Sequence, residues 1–137
     1  MGCDIHYYID YSPFPDNPSY THCLCQFFGM RYYYLFGLLA GVRGKEPALF
    51  PPKGLPKNIS FRVEDDVFEN DDGTGLVIDK NYHTHSWLTM EELKRVIRRY
   101  KKLYGIQPGC DIIAIYKCME VLEKEKKNPR LVFWFDN

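Results

Sequence analysis

The side chains best suited to chemistry lie in two short pieces of the chain, Asp4-Ile5-His6 near the start and His83-Thr84-His85 past the middle. The chain has four histidines; three sit in these two patterns and the fourth, His22, stands apart. In a strand, residues two apart point to one face. Asp4 and His6 would then project together, and so would His83 and His85. If the two pairs faced each other, three imidazoles and a carboxylate would converge, a donor set suited to Zn²⁺, Mn²⁺ or Fe²⁺. The plainer alternatives are a solvated strand face, an Asp4 that caps a neighbouring helix, and two loop histidines of which one is satisfied in the core.

Other residues would complete such a site. Arg43 follows a helical stretch and precedes a proline-rich loop, where it could clamp a phosphate bidentately or pair with a carboxylate at a helix end. Asp136 ends the last apolar run, and its neighbourhood to Asp4 or His6 depends on the first and last strands pairing. Ser86 adds a hydroxyl beside the second histidine pair, and Lys94 and Arg95 stand near the start of the helix that follows. Tyr8 and Trp87 could stack on a base. His22-Cys23-Leu24-Cys25 has the look of half a zinc site but lacks a second cysteine pair, so buried small hydrophobes are the default.

The elements that must carry these groups follow from periodicity. Residues 3–11 alternate as a strand, with Cys3, Ile5, Tyr7 and Ile9 on one face and Asp4, His6, Tyr8 and Asp10 on the other. Phe28, Tyr32, Leu35, Phe36 and Leu39 recur at helical spacing and predict a helix over about 28–42, stopped near Gly41 or Gly44. Residues 44–60 are rich in Gly and Pro but keep Leu49, Phe50 and Leu55 as apolar anchors, which suits an ordered loop or a cover over a site. Residues 61–69 read equally as short helix or strand, and Asn70-Asp71-Asp72-Gly73 as a turn that fails the calcium-loop pattern. Thr89-Met90-Glu91-Glu92 is a capping box opening a helix to about 104, with Leu88 and Leu93 as a hydrophobic staple. Leu93, Val96, Ile97, Tyr100 and Leu103 face inward; Lys94, Arg95, Arg98, Arg99, Lys101 and Lys102 face out. That basic face is either a solvated surface or a contact for nucleic acid or a nucleotide phosphate. A helix over about 110–126 and a buried strand from Leu131 to Phe135 complete one α+β (or small α/β) domain. Its short sheet includes the first and last strands, and about three helices pack on it.

Composition narrows the classes. A chain of 137 residues can bury a core without staples. Its formal net charge is zero, so no global basic signature points to nucleic acid. No apolar run approaches the ~20 residues of a membrane span, and the N-terminus has no basic region leading into an apolar stretch. Gly2 raises myristoylation, but that motif wants Ser or Thr where His6 stands. Five cysteines, an odd number without a framework spacing, point to reduced thiols and a cytoplasmic setting.

Several segments together resemble a family of small proteins from bacteriophage and bacterial genomes. They are Met1-Gly2-Cys3-Asp4-Ile5-His6, Tyr34-Leu35-Phe36 with Leu39-Ala40-Gly41-Val42-Arg43, Gly54-Leu55-Pro56, His83 to Thr89, and Arg130 to Asn137. The resemblance implies a type of genome more than a reaction; a phage-encoded member would work in the host bacterial cytosol, where such proteins often counter host defence. Two functions are expected. One is a metal-dependent hydrolase of a phosphodiester or nucleotide, with Asp4, His6, His83 and His85 on a divalent metal and Arg43 and Asp136 assisting. The other is a non-catalytic counter-defence protein that sequesters a nucleotide second messenger. A host-protein inhibitor using the basic helix is a third reading. The partner in the first two is a nucleotide or other phosphate-bearing small molecule, with no membrane role; assembly into a homo-oligomer stays open.

Overall fold

The computed structural model describes residues 2–14, 16–17, 22–70 and 76–137. Its main sheet has four antiparallel strands in the order β2-β1-β6-β5. These are β1 (Asp4–Tyr11), β2 (His22–Gly29), β5 (Tyr82–Thr89) and β6 (Arg130–Asp136). The first and last strands are the central pair, with Asp4 opposite Asp136 and Asp10 opposite Arg130. A small ribbon of β3 (Phe68–Asn70) and β4 (Leu76–Ile78) stands apart. The expected single α+β domain is what the chain forms.

Alternation on β1 decides how the sheet is covered. Ile5, Tyr7 and Ile9 join Leu131, Phe133 and Phe135 of β6 in the larger core. Three helices close over that face: α1 (Tyr33–Ala40), α3 (Met90–Tyr104) and α4 (Cys110–Lys124). The opposite face carries Tyr8, Val132 and Trp134 and is covered by the short α2 (Phe61–Val67) through Val63 and Val67. Trp134 is wholly buried and stacks on Tyr8 at 4.6 Å between ring centres.

Local signals explain the helix limits. Thr89 Oγ1 accepts from the Glu92 backbone N–H while the Glu92 carboxylate accepts from the Thr89 N–H, the reciprocal pair that starts α3. Leu88 and Leu93 flank it, both buried as a staple requires. Gly105 ends α3 and Gly41 ends α1, each with φ near +74°, a conformation glycine adopts without strain.

The helix expected over about 28–42 is two elements. Residues up to Gly29 form β2, and only Tyr33–Ala40 is helical. The helical spacing of Leu35, Phe36 and Leu39 is genuine, whereas Phe28 belongs to an edge strand exposed on alternate residues. The ambiguous stretch 61–69 is split as well, helix to Val67 and strand from Phe68. Residues 71–73 of the expected turn lie outside the described residues. Segment 44–60 is an ordered strap with the anchors foreseen: Leu49 and Phe50 pack on the larger core and Leu55 on the smaller. It runs along the outer edge of β5, where the Gly54 N–H donates to the His85 carbonyl at 2.9 Å.

Candidate functional site

β1 and β6 set Asp4, His6 and Asp136 on one face of the sheet. His6 is buried, with its Nε2 3.3 Å from Asp136 Oδ2. Its ring lies among Phe28, Tyr82 and Trp134, with centres 4.5, 5.1 and 5.7 Å away. The neighbourhood of Asp136 to His6, conditional on strand pairing in the sequence, is therefore real. Asp4 faces Asp136 across the ladder, and two like charges so placed repel. Each has its own counterpart. Arg31 grips the Asp4 carboxylate with two bonds, Nε–Oδ1 at 2.6 Å and Nη2–Oδ2 at 3.1 Å. That guanidinium holds the Asp4 carboxyl below its usual range.

His83 and His85 do not share a face. The register of β5 on β6 slips between His83 and Ser86, and Thr84 between them has φ +56°. This is a β-bulge, which adds a residue and breaks the alternation. The His83 ring stacks over Phe135 at 5.9 Å, on the larger-core side. The His85 ring lies 5.6 Å from Trp134, on the side of His6. Burial, then the neighbouring His83, pushes the His85 imidazole below its ordinary value. Cys23 and Cys25 are parted in the same way: the register slips between Ile9 and Asp10, so Cys25 pairs with Ile9 and Cys23 with Asp10. Burial pushes the Cys23 thiol up to about 12 and Cys25 to about 11, so neither favours the thiolate a metal needs.

The expected ligand set consequently does not assemble. His83 and His85 each present a buried Nε2 without a hydrogen-bond partner among the described residues, the feature most suggestive of a bound group. Yet His83 is turned to the other face and Asp4 is committed to Arg31. Among the described residues, no group of three or more His, Cys, Asp or Glu side chains could hold a metal ion. The described residues do not fit the divalent site.

The remaining candidates are dispersed. Tyr8 is buried and donates its hydroxyl to Asp66 at 2.8 Å; burial, then Asp66, raises its pKa. The Ser86 hydroxyl accepts from the Lys53 backbone N–H, and the Trp87 ring lies 3.9 Å beneath the Lys53 ammonium. These three hold the strap to the sheet. Arg43, at φ +58° just past α1, is exposed and 6.0 Å from the centre of the Tyr33 ring.

Lys94 and Arg95 belong to a different place, the outer side of α3. A cavity of about 220 Å³ between α3 and α4 is lined by Lys94, Ile97, Arg98, Lys101, Gln107, Ile113, Tyr116 and Lys117. A second, of about 340 Å³, is lined by Leu49, Arg95, Arg98, Arg99 and Lys102. Arg98 lines both, so the two cavities adjoin at its side chain and together make up a cationic trough along α3. No carboxylate lines either. The α3 cations make no ion pair with any described residue; Arg95 instead lies over the Phe50 ring at 5.1 Å. The basic face was legible in the sequence, but Tyr116 and Lys117 were not, because only the packing of α4 on α3 brings them there.

Fold and site together define a single α+β domain: a four-stranded antiparallel sheet with three helices on one face, one on the other, and a cationic trough on the three-helix side. Compared with known proteins, the chain matches no family model, no curated protein and no solved structure. Among the described residues no helix is long and apolar enough to cross a membrane.

Proposed function

We propose that this protein is a non-catalytic binding module that sequesters a phosphate-bearing ligand, a nucleotide, in the cationic trough along α3, of which one cavity is shared with α4 and the other with Leu49 of the strap. The observation that carries the reading is a pair of cavities sharing Arg98 and lined by seven cations without one carboxylate: Lys94, Arg95, Arg98, Arg99, Lys101, Lys102 and Lys117. Unpaired guanidinium groups offer bidentate donors to phosphate oxygens, and a trough of one sign concentrates the field. Ile97 and Ile113 supply apolar surface, and Tyr116 a ring on which a base can lie. The resemblance to phage and bacterial proteins favours a nucleotide second messenger as the ligand.

Calorimetric titration with a panel of mono-, di- and cyclic dinucleotides, followed by chromatography of the recovered ligand, tests this. Expected is binding that weakens with salt, ignores chelator and returns the ligand intact. Turnover abolished by chelator would instead restore the metal-dependent phosphodiesterase reading. No binding by any member of the panel would end the proposal.

A further inference from the structure

The two edges of the sheet are treated differently. The β5 edge is sealed: Gly54 of the strap donates to the His85 carbonyl, the Lys53 N–H meets the Ser86 hydroxyl, and the Thr84 bulge interrupts the strand. The β2 edge has no such cover among the described residues. Among the described residues β2 pairs with β1 alone, and no other backbone group bonds to it. A bare edge is a row of outward N–H and C=O groups ready to pair with another strand. Proteins that stay monomeric usually blunt such edges with Lys, Pro or inward charges.

The sequence of β2, His-Cys-Leu-Cys-Gln-Phe-Phe-Gly, holds no Lys, Arg, Asp, Glu or Pro. Its bulge is confined to the start, around Leu24, and Cys25–Gly29 runs in regular register with Ile5–Ile9. Two of the four exposed side chains on this edge are large and apolar, Leu24 at 46% and Phe28 at 67% exposure; the other two are the polar His22 and Gln26. The end of the strand is pinned, because the Met30 N–H donates to Asp111 at the start of α4. The edge is therefore eight residues long, regular in register over its last five, free of Lys, Arg, Asp, Glu and Pro, and held at its end.

We infer that β2 is a self-association edge, pairing antiparallel with β2 of a second copy about a two-fold axis to continue the sheet to eight strands. Charge decides for self-pairing. An isologous contact sets each residue against its own segment, which is costly wherever a strand carries charge. β2 carries none, so its copy is an admissible partner. A two-fold at an antiparallel edge stands perpendicular to the sheet and leaves both cationic troughs on one side of the dimer. The inference does not depend on what the troughs bind.

Sedimentation velocity on the full chain over a concentration series reads the outcome. A monomer–dimer equilibrium is expected. Leu24→Lys and Gln26→Lys, both at exposed positions, would bring like charges together across the axis and weaken dimerisation roughly tenfold or more. Val121→Lys, on the exposed side of α4, serves as control and leaves the equilibrium unchanged. Should either edge variant fold poorly, hydrogen exchange of the wild-type chain gives a second reading: amides within Cys25–Gly29 slow as concentration rises. A chain that stays monomeric overturns the inference, as does a dimer that survives both lysines. Pairing only with an added extended peptide would assign the edge to a different partner and also overturn it.

Discussion

Substituting Ser60 by Ala would strike the joint between β1 and α2. Asp10 is fully buried at the end of β1, with its carboxylate accepting from Ser60 twice, from the backbone N–H at 3.0 Å and from the hydroxyl at 2.7 Å. The same hydroxyl accepts from the Val63 N–H at 3.3 Å and so caps α2. Ser60→Ala removes a cap worth about 1 kcal/mol and a charge-assisted bond worth about 1.5–3 kcal/mol. The expected cost is therefore about 2–4 kcal/mol, a fall of roughly 6–15 °C in Tm for a domain of this size. The cost also depends on pH. Burial raises the Asp10 pKa, against the opposing pull of the Ser60 N–H and hydroxyl. A carboxyl raised in the fold gives stability fully present below its unfolded value of 3.8 and lost as pH rises through the folded value. Deleting the hydroxyl raises the folded value further, so Ser60→Ala destabilises more at neutral than at acid pH. Urea unfolding followed by the fluorescence of Trp87 and Trp134 gives the measurement, and Asp10→Asn supplies the double-mutant cycle. A cost below about 0.5 kcal/mol at neutral pH would refute a buried, functioning cap.

Arg98→Glu, in the wall shared by both cavities, should weaken nucleotide binding roughly 10- to 100-fold and flatten its salt dependence; an equal effect from Lys124→Glu outside the trough would argue against a defined site. His85 titrates below its ordinary 6.5 in the fold, so the unfolded chain binds the proton first and stability drops as pH falls through 6.5; His85→Gln should remove that drop in thermal melts. Lys53→Met cuts the contact over Trp87 and the ion pair to Glu92. It should cost about 1 kcal/mol and speed protease cleavage within 44–60; unchanged cleavage would mean that the strap is held elsewhere.

Strict local rules made parts of this fold readable before any coordinates. The faces of β1 follow from two-residue alternation, and the start of α3 from a box of four residues whose hydrogen bonds are all local. Helical spacing overran at Phe28 because a periodic helix and an alternating edge strand place apolar residues at overlapping intervals over so short a stretch. The pairs His83/His85 and Cys23/Cys25 are parted for one common reason. Sharing a face at i, i+2 holds only while the ladder is regular, and a bulge lies inside each pair. No residue type announces the bulge at Thr84, since a β-branched side chain is a poor choice for positive φ. Asp4 and His6, on an unbroken part of β1, do share a face, and only Arg31, from the segment after β2, diverts Asp4 from acting as a ligand.

A net charge of zero speaks against a polyanion partner only if the charges are evenly mixed; here α2 and the outer side of α3 differ in sign, although Glu91, Glu92, Asp111, Glu120 and Glu123 lie on α3 and α4 as well. Glu64, Asp65 and Asp66 lie on α2, with Glu69 following on β3, and Arg62 is among the few cations beside them. α2 covers the smaller core, whereas α3 covers the larger one on the opposite face and presents six cations outward. Two layers of side chains and a sheet separate the two sets, a distance over which salt screens their attraction. The trough therefore retains its field despite the balance of the whole chain, and the molecule meets an anion with an orientation already chosen. Polarity of this kind follows from α2 and α3 packing on opposite faces; a count of charges cannot contain it.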